Sequence, residues 1–208
     1  AIAGHLQRHE REIPADQFWN HWRSRQRIEQ YQDNIVGLGH AGYLATVRKA
    51  LVYTLALLKI ETGPDELDEL MAAWQQLNPF ADVLPALPRL ADRFQLVGLS
   101  NGDPDFLDHL ATERIGWEFD RVISVQVVGA FKPHPGVYRR AAGLLELEPA
   151  ACLMVSSNSF DVMGARMCGF RGIFVNREDL PYEDTPYQPD LTVADFTELA
   201  DVLLGENR

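Results

Sequence analysis

Apolar positions repeat at helical spacing up to about residue 81, then gather into short runs parted by polar turns. Residues 1–12 read as a helix already under way. A second helix begins near Pro14, which suits a first helical turn, and runs to about Gln32 with Phe18, Trp19, Trp22 and Ile28 on one face. Residues 34–42, punctuated by Gly37, Gly39 and Gly42, predict a loop or hinge. Leu44, Val47, Leu51, Leu55 and Leu58 mark a third helix, stopped at Thr62-Gly63-Pro64. A fourth follows, with Asp65 and Glu66 in the first turn, where the helix dipole favours acids, and with Leu67, Leu70, Met71, Trp74 and Leu77 on its inner face.

From Asp82 the pattern changes to alternation. Residues 83–93, 104–112, 136–145, about 160–167 and 195–204 predict helices. Residues 96–99, 122–125, 152–155, 172–176 and 191–193 predict short strands. Most of these strands are apolar throughout, as a strand covered on both faces must be. Strands alternating with helices predict an α/β fold built on a doubly wound parallel sheet. The all-helical stretch interrupts that alternation near the chain's start. The expected division is therefore an α/β core of residues 1–12 and 82–208 with an inserted helical cap of residues 13–81.

At 208 residues the chain can bury a sizeable core. Its net charge of −11 argues against a nucleic-acid partner, because little would neutralise phosphates. A small anion stays open, since a local Lys or Arg decides that. Cys152 and Cys168 sit in apolar surroundings and read as free thiols in a reducing compartment. No apolar run approaches the roughly 20 residues of a membrane helix, so no membrane partner and a cytoplasmic location are expected.

Ligands in open parallel sheets bind at the carboxyl ends of the strands. Three polar groups fall there: Ser100-Asn101, Lys132, and Ser156-Asn158 with Asp161. Hydroxyl and amide side chains can orient a carboxylate without neutralising it. Taken singly, Ser156 to Ser159 would be a helix cap and Ser100-Asn101-Gly102 a tight turn. Their convergence on one edge of the sheet points to a site. Lys132 is the only lysine after Lys59, and Pro133 holds it in an extended loop. Of the arginines on the second helix, Arg25 and Arg27 read as solvated charges.

The segments LSNGDP (99–104), VGAFKPHPGVY (128–138) and VSSNSFDVMGARMCGF (155–170) resemble the haloacid dehalogenase superfamily, and within it the type II 2-haloacid dehalogenases. The resemblance covers essentially the whole chain. It implies a Rossmann-like core with an inserted helical cap, and a metal-independent hydrolase without cofactor that converts short 2-haloacids to 2-hydroxyacids through an aspartyl ester. Carried over residue by residue, Lys132 offsets the charge of the carboxylates and Asp161 orients the hydrolytic water. Ser156 and Asn158 hold that pair, and Ser100 binds the substrate carboxylate. Asn101 and Arg23 receive the halide. Tyr138 matches a tyrosine beside the site; read from its own position, it is equally a packing residue. The partners implied are a small haloacid and halide, and a homodimer joined through the cap is an arrangement the family allows.

The family pattern also contains a nucleophilic aspartate on a first strand upstream of the cap, in a segment like F-D-x-Y-G-T. Residues 1–12 hold nothing like it, which leads to the expectation that the sequence is a piece of a longer protein. Two alternatives stay open. One is a Mg²⁺-dependent phosphatase, against which Ser157 speaks because it stands where such enzymes usually carry an acid. The other is a catalytically silent relative that binds an anion or a partner.

Overall fold

Helix α1 (Ile2–Arg8) leads into the long α2 (Ala15–Val36), which packs along α3 (Tyr43–Leu57), with α4 (Pro64–Ala72) following. The computed structural model describes residues 2–9, 12–37 and 39–205. Phe18 and Trp22 of α2, Val47 and Leu51 of α3, and Leu70 of α4 are buried in one cluster. Trp74 joins it from the 3₁₀ turn after α4. Three tryptophan rings pack there, Trp19, Trp22 and Trp74, with centroids 5.3–5.8 Å apart. The Trp22 indole N–H donates to Val47 O at 2.9 Å, so this aromatic buries its one polar atom satisfied.

Helix α2 runs further than expected. It reaches Val36 and stops at Gly37, whose φ of +69° suits glycine and closes the helix through an N–H to Asp33 O. Asn34 lies in the last turn, not in a loop. Its side-chain amide donates to Phe131 O and accepts from Phe131 N, both at 2.8 Å. Leu38, in the expected hinge, lies outside the described residues, as do Ala1, Glu10 and Arg11 of the expected first helix.

The remainder alternates: α5 (Val83–Ala91), β1 (Val97–Ser100), α6 (Pro104–His109), β2 (Arg121–Ser124), α7 (Pro135–Leu145), β3 (Leu153–Ser156), α8 (Ser159–Met167), β4 (Arg171–Val175), β5 (Leu191–Val193) and α9 (Phe196–Leu204). The helix expected to reach residue 112 leaves α-geometry after His109. A wider turn over Leu110–Ile115 follows, closed by Gly116 N–H on Ala111 O.

All strand pairs are parallel. β1 pairs with β2, and β4 lies between β3 and β5. Ile173 and Val175 of β4 share a cluster with α5 and α9, while Met154 of β3 packs with Tyr138 of α7 and Ala165 of α8. Helices thus cover both faces, which makes the fold α/β and doubly wound. Among the described residues no ladder joins β1 to β3, and both strands line one cavity between the two sheets.

Asp82, just before α5, fastens this half of the molecule. Its carboxylate takes both Arg177 Nη groups at 2.9 and 2.7 Å, and the Phe196 N–H at 2.8 Å. The Arg177 hydrogen bond, with the Phe196 N–H, holds the Asp82 carboxyl below its usual value of 3.8. A depressed carboxyl stabilises the fold above its unfolded pKa and loses that contribution as pH falls through its folded pKa. Asp82→Asn is therefore expected to lower stability by about 1–2 kcal/mol near neutral pH. The gap from wild type should close in acid; urea unfolding between pH 7 and pH 3 measures it, and a pH-independent gap would contradict this account.

Candidate active site

β1 and β3 both end at serines, Ser100 and Ser156, and their turns open onto the same end of the cavity. Lys132 reaches it from the loop between β2 and α7, and Asp161 from the first turn of α8. The cavity encloses about 770 Å³. Arg23, Gln26, Arg27 and Gln30 of α2, with Tyr43, cover the polar end; strand and helix side chains such as Leu99, Val155 and Leu199 line the apolar remainder.

Lys132 is buried, its residue 6% exposed. Its ammonium donates to Asp161 Oδ2 at 2.9 Å and to Leu99 O at 2.7 Å, which occupies two of its three hydrogens. The backbone N–H of Lys132 donates to Asn101 Oδ1 at 2.9 Å, fixing the loop against the end of β1. Asn101 also donates through Nδ2 to Gln30 Oε1 at 3.1 Å, which joins the sheet end to α2.

Tyr138 is fully buried and donates to Asp161 Oδ1 at 2.8 Å. Burial pushes its phenol up, and the Asp161 charge and that hydrogen bond push it further, so it stays a donor. Tyr138 is thus both a buried packing residue and a partner of Asp161. Gly164 makes room for it: a Cβ there would lie 2.8 Å from the Tyr138 hydroxyl and from Pro133 Cβ.

Ser156 and Asn158 do not grip the Asp161 carboxylate, as they were expected to. Ser156 Oγ accepts the Asn158 N–H at 3.1 Å, and the Asn158 side chain accepts from Arg27 at 3.2 Å. Short polar side chains at a strand end satisfy the nearest backbone first, and only the Asn158 carbonyl meets Asp161, through its N–H at 3.0 Å. Ser100 Oγ likewise accepts the Gly102 N–H at 3.2 Å.

Arg23 lines the cavity, hydrogen-bonded to Gln26 at 2.6 Å with its guanidinium 5.1 Å from the Trp74 ring centroid. Arg27 is exposed, as its solvated reading has it, yet it also borders the cavity and lies over the Phe160 ring, 5.7 Å from its centroid. Arg25 is also not a free charge: it pairs with Glu29 at 2.5 Å and stacks on Tyr53. Sequence reasoning missed Arg27, Gln26 and Gln30, although Arg23, Gln26, Arg27 and Gln30 fall at i, i+3, i+4 and i+7, a polar stripe on one helix face. Gln26 and Gln30 are buried. Tyr43 completes this wall; burial raises its phenol, while Arg23 and the Gln26 hydrogen bond draw it back. The charged groups at the polar end are thus Arg23, Arg27 and Lys132 against Asp161 alone, an excess of positive charge within a strongly acidic chain.

The haloacid dehalogenase-like hydrolase family model matches residues 2–169. The chain therefore belongs to the haloacid dehalogenase-like hydrolases. It is 38% identical over 150 residues to an (S)-2-haloacid dehalogenase of Xanthobacter autotrophicus, a match that covers 72% of this chain and only 58% of that enzyme. It is 33% identical over 185 residues to (S)-2-haloacid dehalogenase H-109 of Pseudomonas putida, covering 88% of this chain and 82% of that one. The crystal structure of the L-2-haloacid dehalogenase of Xanthobacter autotrophicus with chloropropionic acid covalently bound superposes with a TM-score of 0.83 at 29% identity, covering all of this chain and 94% of that one.

Gly164→Ala should drive a methyl group into Tyr138 and Pro133 and cost about 1–3 kcal/mol, read by urea unfolding. An unchanged midpoint would mean that Tyr138 is not confined behind Asp161.

Proposed function

We propose that the protein hydrolyses short 2-haloacids, of the S configuration its relatives' names carry, to 2-hydroxyacids, without a metal or other cofactor. The observation that carries this reading is Lys132: one ammonium bridges Asp161 and the end of β1 beneath a wall bearing Arg23 and Arg27. A carboxylate nucleophile and a carboxylate substrate bring two negative charges to one place. A hollow whose polar end carries three cations and a single acid suits both.

In the proposed route a carboxylate oxygen attacks the carbon that bears the halogen. The carbon–halogen bond breaks, halide leaves with the bonding pair, and an ester joins substrate to enzyme. Water then attacks the ester carbonyl, releases the 2-hydroxyacid, returns the carboxylate and gives up one proton to solvent. Lys132 holds the nucleophile ionised and in place. Asp161, kept anionic and oriented by Lys132 and Tyr138, orients the water. Ser100 and nearby N–H groups bind the substrate carboxylate. Asn101, Arg23 and, as a further candidate, Arg27 receive the halide. Ser156 and Asn158 shape the turn that presents Asp161.

The nucleophile belongs on a strand lying between β1 and β3. Among the described residues each strand has one edge without a ladder partner, their cavity walls are apolar, and a small haloacid is far smaller than the cavity. Such a strand would end beside Lys132 Nζ. The phosphatase alternative gains nothing from the geometry: Ser157 is exposed, and both Asp161 oxygens are already engaged by Lys132 and Tyr138.

We further assign residues 13–81 to the cap, place the protein in the cytoplasm on its two free thiols, and expect a homodimer. Among the described residues no helix is long and apolar enough to cross a membrane.

The test is halide release by the full-length protein from (S)- and (R)-2-chloropropionate, chloroacetate and fluoroacetate, with and without EDTA. We expect release from the S substrate, indifferent to EDTA and reduced by about 10²–10³-fold or more in Lys132→Ala. Mg²⁺-dependent phosphate release, absence of turnover, or an undiminished rate in Lys132→Ala would each overturn the proposal.

A further inference from the structure

We propose that His5, His9 and Glu66 form a binding site for a divalent transition-metal ion of the zinc class, which clamps α1 to α4. Among the described residues these three make the one group of histidine, cysteine or acid side chains that converges as a metal site would, one ligand atom from each lying within 4.8 Å of the others. None of them lines the cavity of the candidate active site.

The geometry is close to what zinc requires. Tetrahedral zinc with bonds of about 2.1 Å keeps its ligand atoms roughly 3.4 Å apart. Glu66 Oε1 stands 3.1 Å from His9 Nε2 and 3.8 Å from His5 Nδ1, values on either side of that spacing. The two imidazoles come from one turn of chain, with ring centroids 4.6 Å apart.

His5 supplies an independent reason. Its side chain is fully buried, yet Nδ1 has no hydrogen-bond partner and faces Glu66. A buried imidazole nitrogen left unpaired costs free energy, and a metal ion bound there would satisfy it. The opposite ring nitrogen stands 3.4 Å from the Thr62 hydroxyl, the kind of outer contact that fixes a ligating ring. Burial, and the charges of His9 and Arg8, lower the His5 pKa against the pull of Glu66 and Glu69. For Glu66, burial raises the carboxyl, but the His9 hydrogen bond and the Gly63 N–H outweigh it and leave the pKa lowered.

Arg8 is the neighbour that works against a cation, with Nε 3.5 Å from Glu66 Oε1. Its Nη2 is drawn to Glu69 at 2.8 Å, and the side chain is 47% exposed, so it can keep Glu69 and leave Glu66. On binding, the ion takes the place of the His9–Glu66 hydrogen bond, with His9 ligating through Nε2 and carrying its proton on Nδ1.

The experiment is titration of EDTA-stripped, dialysed protein with ZnCl₂, followed by calorimetry, bound-metal analysis and thermal melting. We expect one zinc per chain, a raised melting temperature, and binding that weakens as pH falls below about 6.5. Co²⁺ in its place should give the strong visible absorption of a tetrahedral site. His9→Ala and Glu66→Gln should each weaken binding by more than about a hundredfold. Absence of stoichiometric zinc, or binding indifferent to His9→Ala and Glu66→Gln, would overturn the proposal.

Discussion

A lysine ammonium with almost no water around it must find fixed partners, and the one at Lys132 finds them on both sides of a divided sheet. It takes the Leu99 carbonyl from β1 and the Asp161 carboxylate from α8. Because no ladder joins β1 to β3 among the described residues, this ammonium is a polar bridge between the two-stranded and three-stranded sheets. Burying two charges is unfavourable unless each is paired and hydrogen-bonded. Here Asp161 gains the Tyr138 hydroxyl and Lys132 gains a carbonyl, so neither charge is left alone. The arrangement fixes three chain segments to one point, and that point is the floor of the cavity.

The opposite wall depends on the same economy of buried polar groups. Helix α2 is apolar where Phe18 and Trp22 enter the helical core, and polar where Arg23, Gln26, Arg27 and Gln30 face the cavity. One helix thus serves a dry interface and a charged one. Its position over the sheet is set by side-chain contacts, Asn34 on the Phe131 backbone and Gln30 on the Asn101 side-chain amide. Helix α3 is positioned in the same way: Asp103, after β1, accepts the Tyr43 and Leu44 N–H groups at 2.8 and 3.0 Å, a helix cap supplied from about 60 residues away. These contacts couple the covering helices to the strand ends that carry the proposed chemistry.

Charge is distributed for the same purpose. The chain is acidic overall, yet the polar end of the cavity is basic. In a concave site, a few nearby cations act on an anion far more strongly than the distant surface acids do. The net charge argued against a polyanionic partner and was silent about a small one, because a small anion responds to the nearest two or three groups.

The order of elements was legible because it rests on local pattern: apolar runs too short for a helix, helical spacing, and turns marked by glycine and proline. So was the gathering of Ser100, Asn101, Lys132 and Asp161 at one sheet edge, since parallel topology alone sends strand ends to the same side. What the pattern could not give was which atoms meet. Ser156 and Asn158 satisfied their own turn, leaving Tyr138 to hold Asp161, and Arg27, still exposed, borders the cavity and donates to Asn158. A periodicity says which face of a helix a residue occupies; only the packing of one element on another decides what that face looks at.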